Sequence, residues 1–357
     1  MGARKPERIL AIKLADLGDL LLCEPAFRSL RAAFPEARID VLTTPSSAAL
    51  LPLIGHGLRP IEFPKQLFDS LAGLTRPSAQ VRAVRLALTL RSARYDLVVL
   101  LHHLTTAFGA RKFAALAQAT GCRSVVGLDN GRGTFLSVRV IDEGFGARHE
   151  ATYMRDVAVA AGGISVDATP CIAVPQARPP AGTPSTPYAT IFPVTGQYSR
   201  AREWSVQRFG AVATRLAAQG IIPLVVGAQD ASEAAATIRA TEPSTIDLTG
   251  RTSLEELAVV LAGAQVAVGG DTFIGHLAAA VGTPIVSIFG PSNARAWRPI
   301  GRSGTVEIVC AELPCQPCIY TGFRLGRPAG CPDRTCLKLV TTNNVASAVE
   351  YVLGGIG

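Results

Sequence analysis

The sequence predicts an α/β protein made of two doubly wound parallel-sheet domains. Three observations predict it. Short apolar runs alternate with helical patterns along the chain, which is how parallel strands with crossover helices read. A length of 357 residues suits two domains. Between the two α/β stretches, Pro170 to Pro187 (PCIAVPQARPPAGTPSTP) holds six prolines and no core-forming pattern, so it reads as a linker. The expected organisation is a first domain over 1–170, a linker over 171–187 and a second domain over 188–341. A Cys-rich insert spans 310–336, and a final helix over about 342–357 is expected to return to the first domain.

In chain order, Arg8–Lys13 reads as a strand, Asp16–Asp19 as a turn, and the residues to about Phe34 as an amphipathic helix. Arg38–Leu42, Asp96–Leu101 and Arg123–Val126 read as strands, with helices near Ala107–Thr120 and His149–Ala161. After the linker, strands are expected at Tyr188–Phe192, Ile221–Val226, Gln265–Val268 and Pro284–Phe289. Helices are expected at Ser205–Gln219, Ala231–Ala240, Ser253–Ala262 and Phe273–Ala280; Ser253 with Glu256 forms a capping-box pair. Gly301–Arg334 reads as irregular, and Asn344–Leu353 as a last helix. Ligands of open α/β sheets bind at the carboxyl ends of strands, so the default site is a cleft between the two domains.

Composition narrows the class. Apolar residues make up 48% of the chain, too many for disorder, yet no uninterrupted apolar run reaches the ~18 residues of a membrane span. The stretch Met1 to Leu22 is broken by Lys13, Asp16 and Asp19 and lacks a small-residue cleavage site, so a cytoplasmic protein is expected. The net charge of +8 suits phosphates, an anionic membrane surface or nucleic acid, or simply a solvated Arg-rich surface. Aromatics are only 6%, with no basic run interleaved among them, which argues against nucleic acid as a partner. Val81–Arg94, with Arg82, Arg85, Arg91 and Arg94 among apolar residues, reads as a solvated helix face or as one lying on anionic lipid.

Four segments carry candidate chemistry. In AIKLADLGDLL, Asp16 and Asp19 stand where a strand hands over to a helix; each is either a helix-terminal carboxylate or a general base. In VGGDTFIGHLAAAVGTP, a strand ends at Gly269 and Gly270, and Asp271 and Thr272 open a helix with His276 nearby. Free N–H groups of that first turn suit an anion; a plain cap with a packed histidine is the alternative. In PVTGQYSRAREW, Thr195, Ser199, Arg200 and Arg202 offer hydroxyls and guanidiniums, for phosphate or for solvent. Cys315-x2-Cys318 has the spacing of one thiolate pair, while Cys331-x4-Cys336 is wider than usual; the four suit a zinc or iron site, structural because no coordination position stays open, with packed thiols or disulfides as the alternatives. His102 and His103 follow a strand and either line the cleft or serve the core.

Taken together, these motifs resemble the bacterial heptosyltransferase family, glycosyltransferase family 9. ILAIKLADLGDLLLCEPAFRSLRAAFP is similar to the family's opening strand, Gly-Asp turn and helix. GGDTFIGHLAAAVGTPIVSIFGPSN resembles its Asp-Thr-Gly-x-x-His segment with the Gly-Thr-Pro strand, and REWSVQRFGAVATRL its Lys-x-Trp-Pro-x-x-Arg-Phe segment. The resemblance implies a GT-B fold, two Rossmann-like domains facing each other across a cleft, with the donor mainly in the second. It implies inverting transfer of a heptose from a nucleotide-diphosphate sugar, ADP-heptose foremost, to a cell-envelope glycan in lipopolysaccharide biosynthesis. Lipid-linked or protein acceptors, or another donor, are the alternatives; a metal-bearing nucleic-acid-binding protein is a distant one.

By the same resemblance Asp19 would be the general base; Asp16, His102 and His103, at strand ends of the first domain, are the acceptor-side candidates. The donor falls to Thr195, Arg200, Arg202, Gln229, Gly270, Asp271, Thr272 and His276. No catalytic metal is implied. The enzyme would work in the cytoplasm, at the inner face of the plasma membrane. Four departures stand out: Phe273 for the motif glycine, Arg202 for lysine, Ser205 for proline, and Gln229 near a donor-contacting glutamate. LLHHLTT likewise replaces the usual Asp-x-Gln-Gly form.

Overall fold

The computed structural model describes residues 5–65, 68, 75–196, 198–301 and 305–354. The chain forms two compact units, Met1–Gly144 with Glu150–Ala168, and Phe145–His149 with Thr169–Gly357. Five residues, 145–149, thus leave the first unit to join the second before the chain returns.

The first unit is a six-stranded parallel sheet: β1 (Arg8–Lys13), β2 (Arg38–Thr43), β3 (Leu58–Glu62), β4 (Leu97–Leu100), β5 (Val125–Asp129) and β6 (Val138–Ile141). Their order is β3-β2-β1-β4-β5-β6. The central strands are buried on both faces, so they read as the continuous apolar runs seen in the sequence. Helices α1 (Leu17–Leu21), α2 (Glu24–Ala33), α3 (Pro77–Ser92), α4 (Ala107–Thr120) and α5 (Glu150–Ala160) lie in this unit.

The second unit repeats the plan with β7 (Tyr188–Phe192), β8 (Ile222–Val225), β9 (Ile246–Asp247), β10 (Val266–Gly270), β11 (Ile285–Ile288) and β12 (Val306–Val309). The order β12-β11-β10-β7-β8-β9 is the same Rossmann order seen from the other end. The sheet's helices are α6 (Val206–Ala218), α7 (Ser232–Thr241), α8 (Leu254–Ala262) and α9 (Phe273–Val281). Ser253 and Glu256 form both bonds of the capping box on α8.

Several expectations need correction. The final helix α10 (Thr342–Gly354) does not return to the first domain. Val345, Val349 and Val352 join Ile191, Phe209 and Val286 in the core of the second. The expected linker is partly docked: Ile172 is buried, and its N–H donates to Ala280 of the second unit. Strands β3, β6, β9 and β12 were not expected. They are short, edge or near-edge strands whose residues stay partly exposed, so no apolar run marks them. Inside the supposedly irregular insert, β13 (Ile319–Thr321) and β14 (Arg324–Gly326) form an antiparallel hairpin.

Candidate active site

In the second unit, β7 and β10 are neighbours at the point where strand order reverses, the switch point at which such sheets bind ligands. They pack very closely. A side chain on Gly269 would come within 2.0 Å of the Phe192 ring, so β10 can end beside β7 only as glycine. Gly270 follows and faces Thr195 and the Arg202 backbone.

Thr272 caps α9. Its hydroxyl accepts from the Ile274 N–H at 3.2 Å, so the cap reading of this residue is realised. The remaining first-turn N–H groups and the helix dipole still give this end a positive character. Arg202, expected to meet phosphate, is nearly buried and already bonded. Nη1 donates to the Asp271 carboxylate and to its carbonyl, both at 3.0 Å, and Nε donates to the Ser199 carbonyl at 3.2 Å. Its Nη2 group has no partner among the described residues.

Ser199 is the hub of this loop, and its central place was not foreseen. Its carbonyl accepts from Thr195 Oγ1 at 3.0 Å as well as from Arg202. Its buried hydroxyl donates to the Pro328 carbonyl at 2.5 Å, tying the loop to the Cys-rich insert. Tyr198 stacks on Tyr320 of that insert at 5.8 Å. A serine in a polar loop carries no sequence signal for such a role.

Arg200 is more than half exposed and pairs loosely with Asp230 at 3.5 Å and Glu203 at 3.7 Å. Gln229 is exposed after β8, close against Gly250, where a side chain would collide with it. His276 is buried in α9. The nearby His149 donates its Nε2–H to the Arg298 carbonyl at 2.8 Å. Burial, helped by the His276 and Arg298 charges against that bond, pushes His149 down to about 4, so it is neutral and the ring donates.

In the first unit, Asp16 takes the N-cap position of α1 without a side-chain cap bond, and Asp19 lies in the first turn, partly exposed. Lys13, at the end of β1, is buried. Burial works against its charge, but Cys23, Asp19 and Glu150 together hold its pKa above the ordinary lysine value. A lysine inside an apolar strand was the sequence signal for this buried cation. Cys23 is fully buried, which is the main reason its thiol is pushed up to about 12; it stays protonated.

His102 and His103 are both engaged inside this unit, which argues against direct contact with an acceptor. Burial first, then Lys13 and other cations, push His102 well below its ordinary pKa. Its neutral Nε2 accepts the Leu14 N–H at 2.7 Å and so fixes the chain where β1 enters the Asp16–Asp19 turn. His103 is clamped between two buried carboxylates, Nδ1 to Asp142 and Nε2 to Glu150, each at 3.0 Å. Burial opposes its charge, but those carboxylates outweigh it and raise the pKa to about 9. Asp142 and Glu150 flank the 145–149 excursion, so one imidazolium ties both of its ends.

The four cysteines of the insert line one recess of about 150 Å³ with Pro291, Leu313 and Gly330. Cys336 is buried in the core of the second unit; the other three are more open. Among the described residues, no group of three or more His, Cys, Asp or Glu side chains is drawn tightly enough to hold a metal as it stands.

Two sheets of Rossmann order, the second with an anion-suited turn at its switch point, are the parts of the GT-B fold. The family model for glycosyltransferase family 9 (heptosyltransferase) matches residues 83–326, more than half of the chain, and the chain belongs to that family. A curated relative, lipopolysaccharide heptosyltransferase 3 of Escherichia coli, is 25% identical over 315 residues, covering 79% of this chain and 83% of its own length. Among solved structures, the ADP-heptose lipopolysaccharide heptosyltransferase II of E. coli superposes with a TM-score of 0.71 at 20% identity, covering 98% of this chain and 99% of that one. The iron-containing dodecameric glycosyltransferase TibC from enterotoxigenic E. coli gives 0.60 at 14% identity, covering 100% and 78%. At such identities the structures speak for the fold alone.

Proposed function

We propose that this glycosyltransferase moves a heptose, or a close relative, from ADP-heptose to a hydroxyl of a cell-envelope glycan, with inversion at the anomeric carbon. The reading rests on one observation above others. Gly270, Asp271, Thr272 and Arg202, which fall on the family's donor motifs, converge at the switch point of the second sheet. The diphosphate lies against the first turn of α9, where N–H groups and the Arg202 guanidinium offset the charge of the leaving nucleotide. This makes a catalytic metal unnecessary. Asp271 does not touch the donor in this reading; it holds Arg202 in place.

Asp19 takes the proton of the acceptor hydroxyl as that oxygen bonds to the anomeric carbon. The bond from that carbon to the diphosphate oxygen breaks, and the nucleotide diphosphate leaves with its electrons. The acceptor is held by the first unit. Among the described residues no helix is long and apolar enough to cross a membrane. The reading places the enzyme in the cytoplasm, in peripheral contact with an anionic membrane that carries the acceptor.

A thermal-shift series with ADP, UDP, GDP and ADP-heptose tests the donor, because a ligand of the folded state raises Tm by mass action. ADP and ADP-heptose alone are expected to raise it. A preference for UDP or GDP replaces the donor, and no shift with any of the four removes the reading. Thr272→Val should weaken ADP binding about fivefold and lower stability by about 1 kcal/mol, the loss of a cap. Calorimetry showing unchanged ADP affinity would take Thr272 out of the site.

The same proposal gives the cysteines a structural metal, zinc or iron. Four cysteines line one recess, and a divalent cation bound there would displace their protons and take them as thiolate ligands. The likeness to an iron-containing glycosyltransferase is in keeping with this but does not decide the metal. About one zinc or iron per chain is expected by elemental analysis, the stoichiometry of one tetrahedral site. Finding neither metal in the purified protein returns the recess to packed thiols.

A further inference from the structure

Helix α3 is apolar on two opposite faces. Ala79, Ala83, Leu86 and Leu90 lie along one side and turn into the core of the first unit. Val81, Val84 and Leu88, spaced i, i+3 and i+7, lie along the other and are 52%, 59% and 65% exposed. A helix packed on a sheet normally turns a polar face to water, so this outer stripe is unexplained by the fold. Its borders are basic. Arg76 to Arg94 contains five arginines and no acidic residue, and all five arginines are exposed.

We propose that the outer face of α3 docks on an anionic lipid bilayer. This deepens the membrane contact proposed above and rests on it. The three apolar side chains sit at the level of the headgroup–acyl boundary while the arginines pair with lipid phosphates. Charge decides between this occupant and a second copy of the chain: two copies, each at +8 with arginines bordering the contact, would repel. Size decides against a stable protein partner as well. Three side chains on one convex helix fall far short of the ~800 Å² per partner that such an interface buries.

Co-sedimentation of the full chain with vesicles tests this. Binding is expected to vesicles of phosphatidylcholine with a quarter phosphatidylglycerol, and to fade with added salt; pure phosphatidylcholine should bind little. Val84→Asp with Leu88→Asp should cut binding at least ~tenfold, as should Arg82→Glu with Arg85→Glu. ADP affinity, measured on the same preparations, should stay at the parent value in both variants, which separates a lost surface from a misfolded chain. Parent protein that ignores anionic vesicles overturns the proposal, as does a V84D/L88D variant that binds like the parent. Loss of a dimer in that variant, with no vesicle binding by the parent, would instead mark the stripe as a contact between copies. The donor reading stands or falls separately, on whether the parent binds ADP.

Discussion

Replacing Asp19 by asparagine is expected to slow sugar transfer about 10²–10⁴-fold, the contribution of a positioned general base. Nucleotide affinity should stay within about twofold, because the proposed donor groups all belong to the second unit while Asp19 belongs to the first. The expected signature is therefore a fall in kcat with little change in the ADP dissociation constant. Asparagine keeps the shape of the side chain and loses its charge and basicity, so a packing defect should not cloud the result. Its position supports the role. Asp19 sits in the first turn after the central strand β1, partly exposed, with the buried Lys13 close enough to feel its charge. Single-turnover transfer at the parent rate would remove Asp19 from the mechanism. Equal loss of kcat and of ADP affinity would make it a structural residue instead.

Replacing His103 by alanine is expected to destabilise the protein by about 3–5 kcal/mol, the range for removing one partner of a buried ionic cluster. Asp142 and Glu150 are almost wholly buried, and the imidazolium sits between them at 3.0 Å on each side. The effect must depend on pH in a definite direction. The folded pKa, about 9, is raised above the unfolded value of about 6.5. The contribution is therefore complete below about pH 6.5 and is lost as pH rises through about 9. That shift corresponds to about 3 kcal/mol. Melting curves at pH 6 and pH 9.5 should show the parent and variant far apart at the first pH and closer at the second. A constant gap would show that the ring acts by packing, for instance against Tyr153 at 5.0 Å, and not by its charge.

The two predictions touch the same small region for different reasons. Asp19 is expected to act on substrate. His103 holds the chain on both sides of the excursion at residues 145–149, and its neighbour His102 holds the entry to the Asp16–Asp19 turn. The machinery around the candidate base is thus largely a set of internal bonds among residues that look chemical in the sequence. The donor end follows the same rule. Arg202 and Asp271 were both expected at the donor, and they bond first to each other.

Residues that act through the backbone or through local periodicity were legible in the sequence. The buried central strands read as apolar runs because both faces of a parallel strand are covered. The Ser253–Glu256 capping box and the turn Gly269–Gly270–Asp271–Thr272 are local features, closed within a few residues, and the structure has both. The family motifs are likewise short stretches at strand ends, which is why the family could be recognised before any contact was known.

What only the tertiary structure decided are the pairings across large sequence distances. No local pattern could tell that Ser199 bonds to Pro328, that Arg202 is taken by Asp271, or that His103 joins Asp142 to Glu150. Nor could it place the last helix on the second sheet, since an amphipathic stripe specifies that a helix is covered and not by what. The half-exposed edge strands escaped for a related reason: their stability comes from the neighbour they pair with. A sequence records what each residue prefers to bury or to bond, and the fold alone determines which distant residue meets that preference.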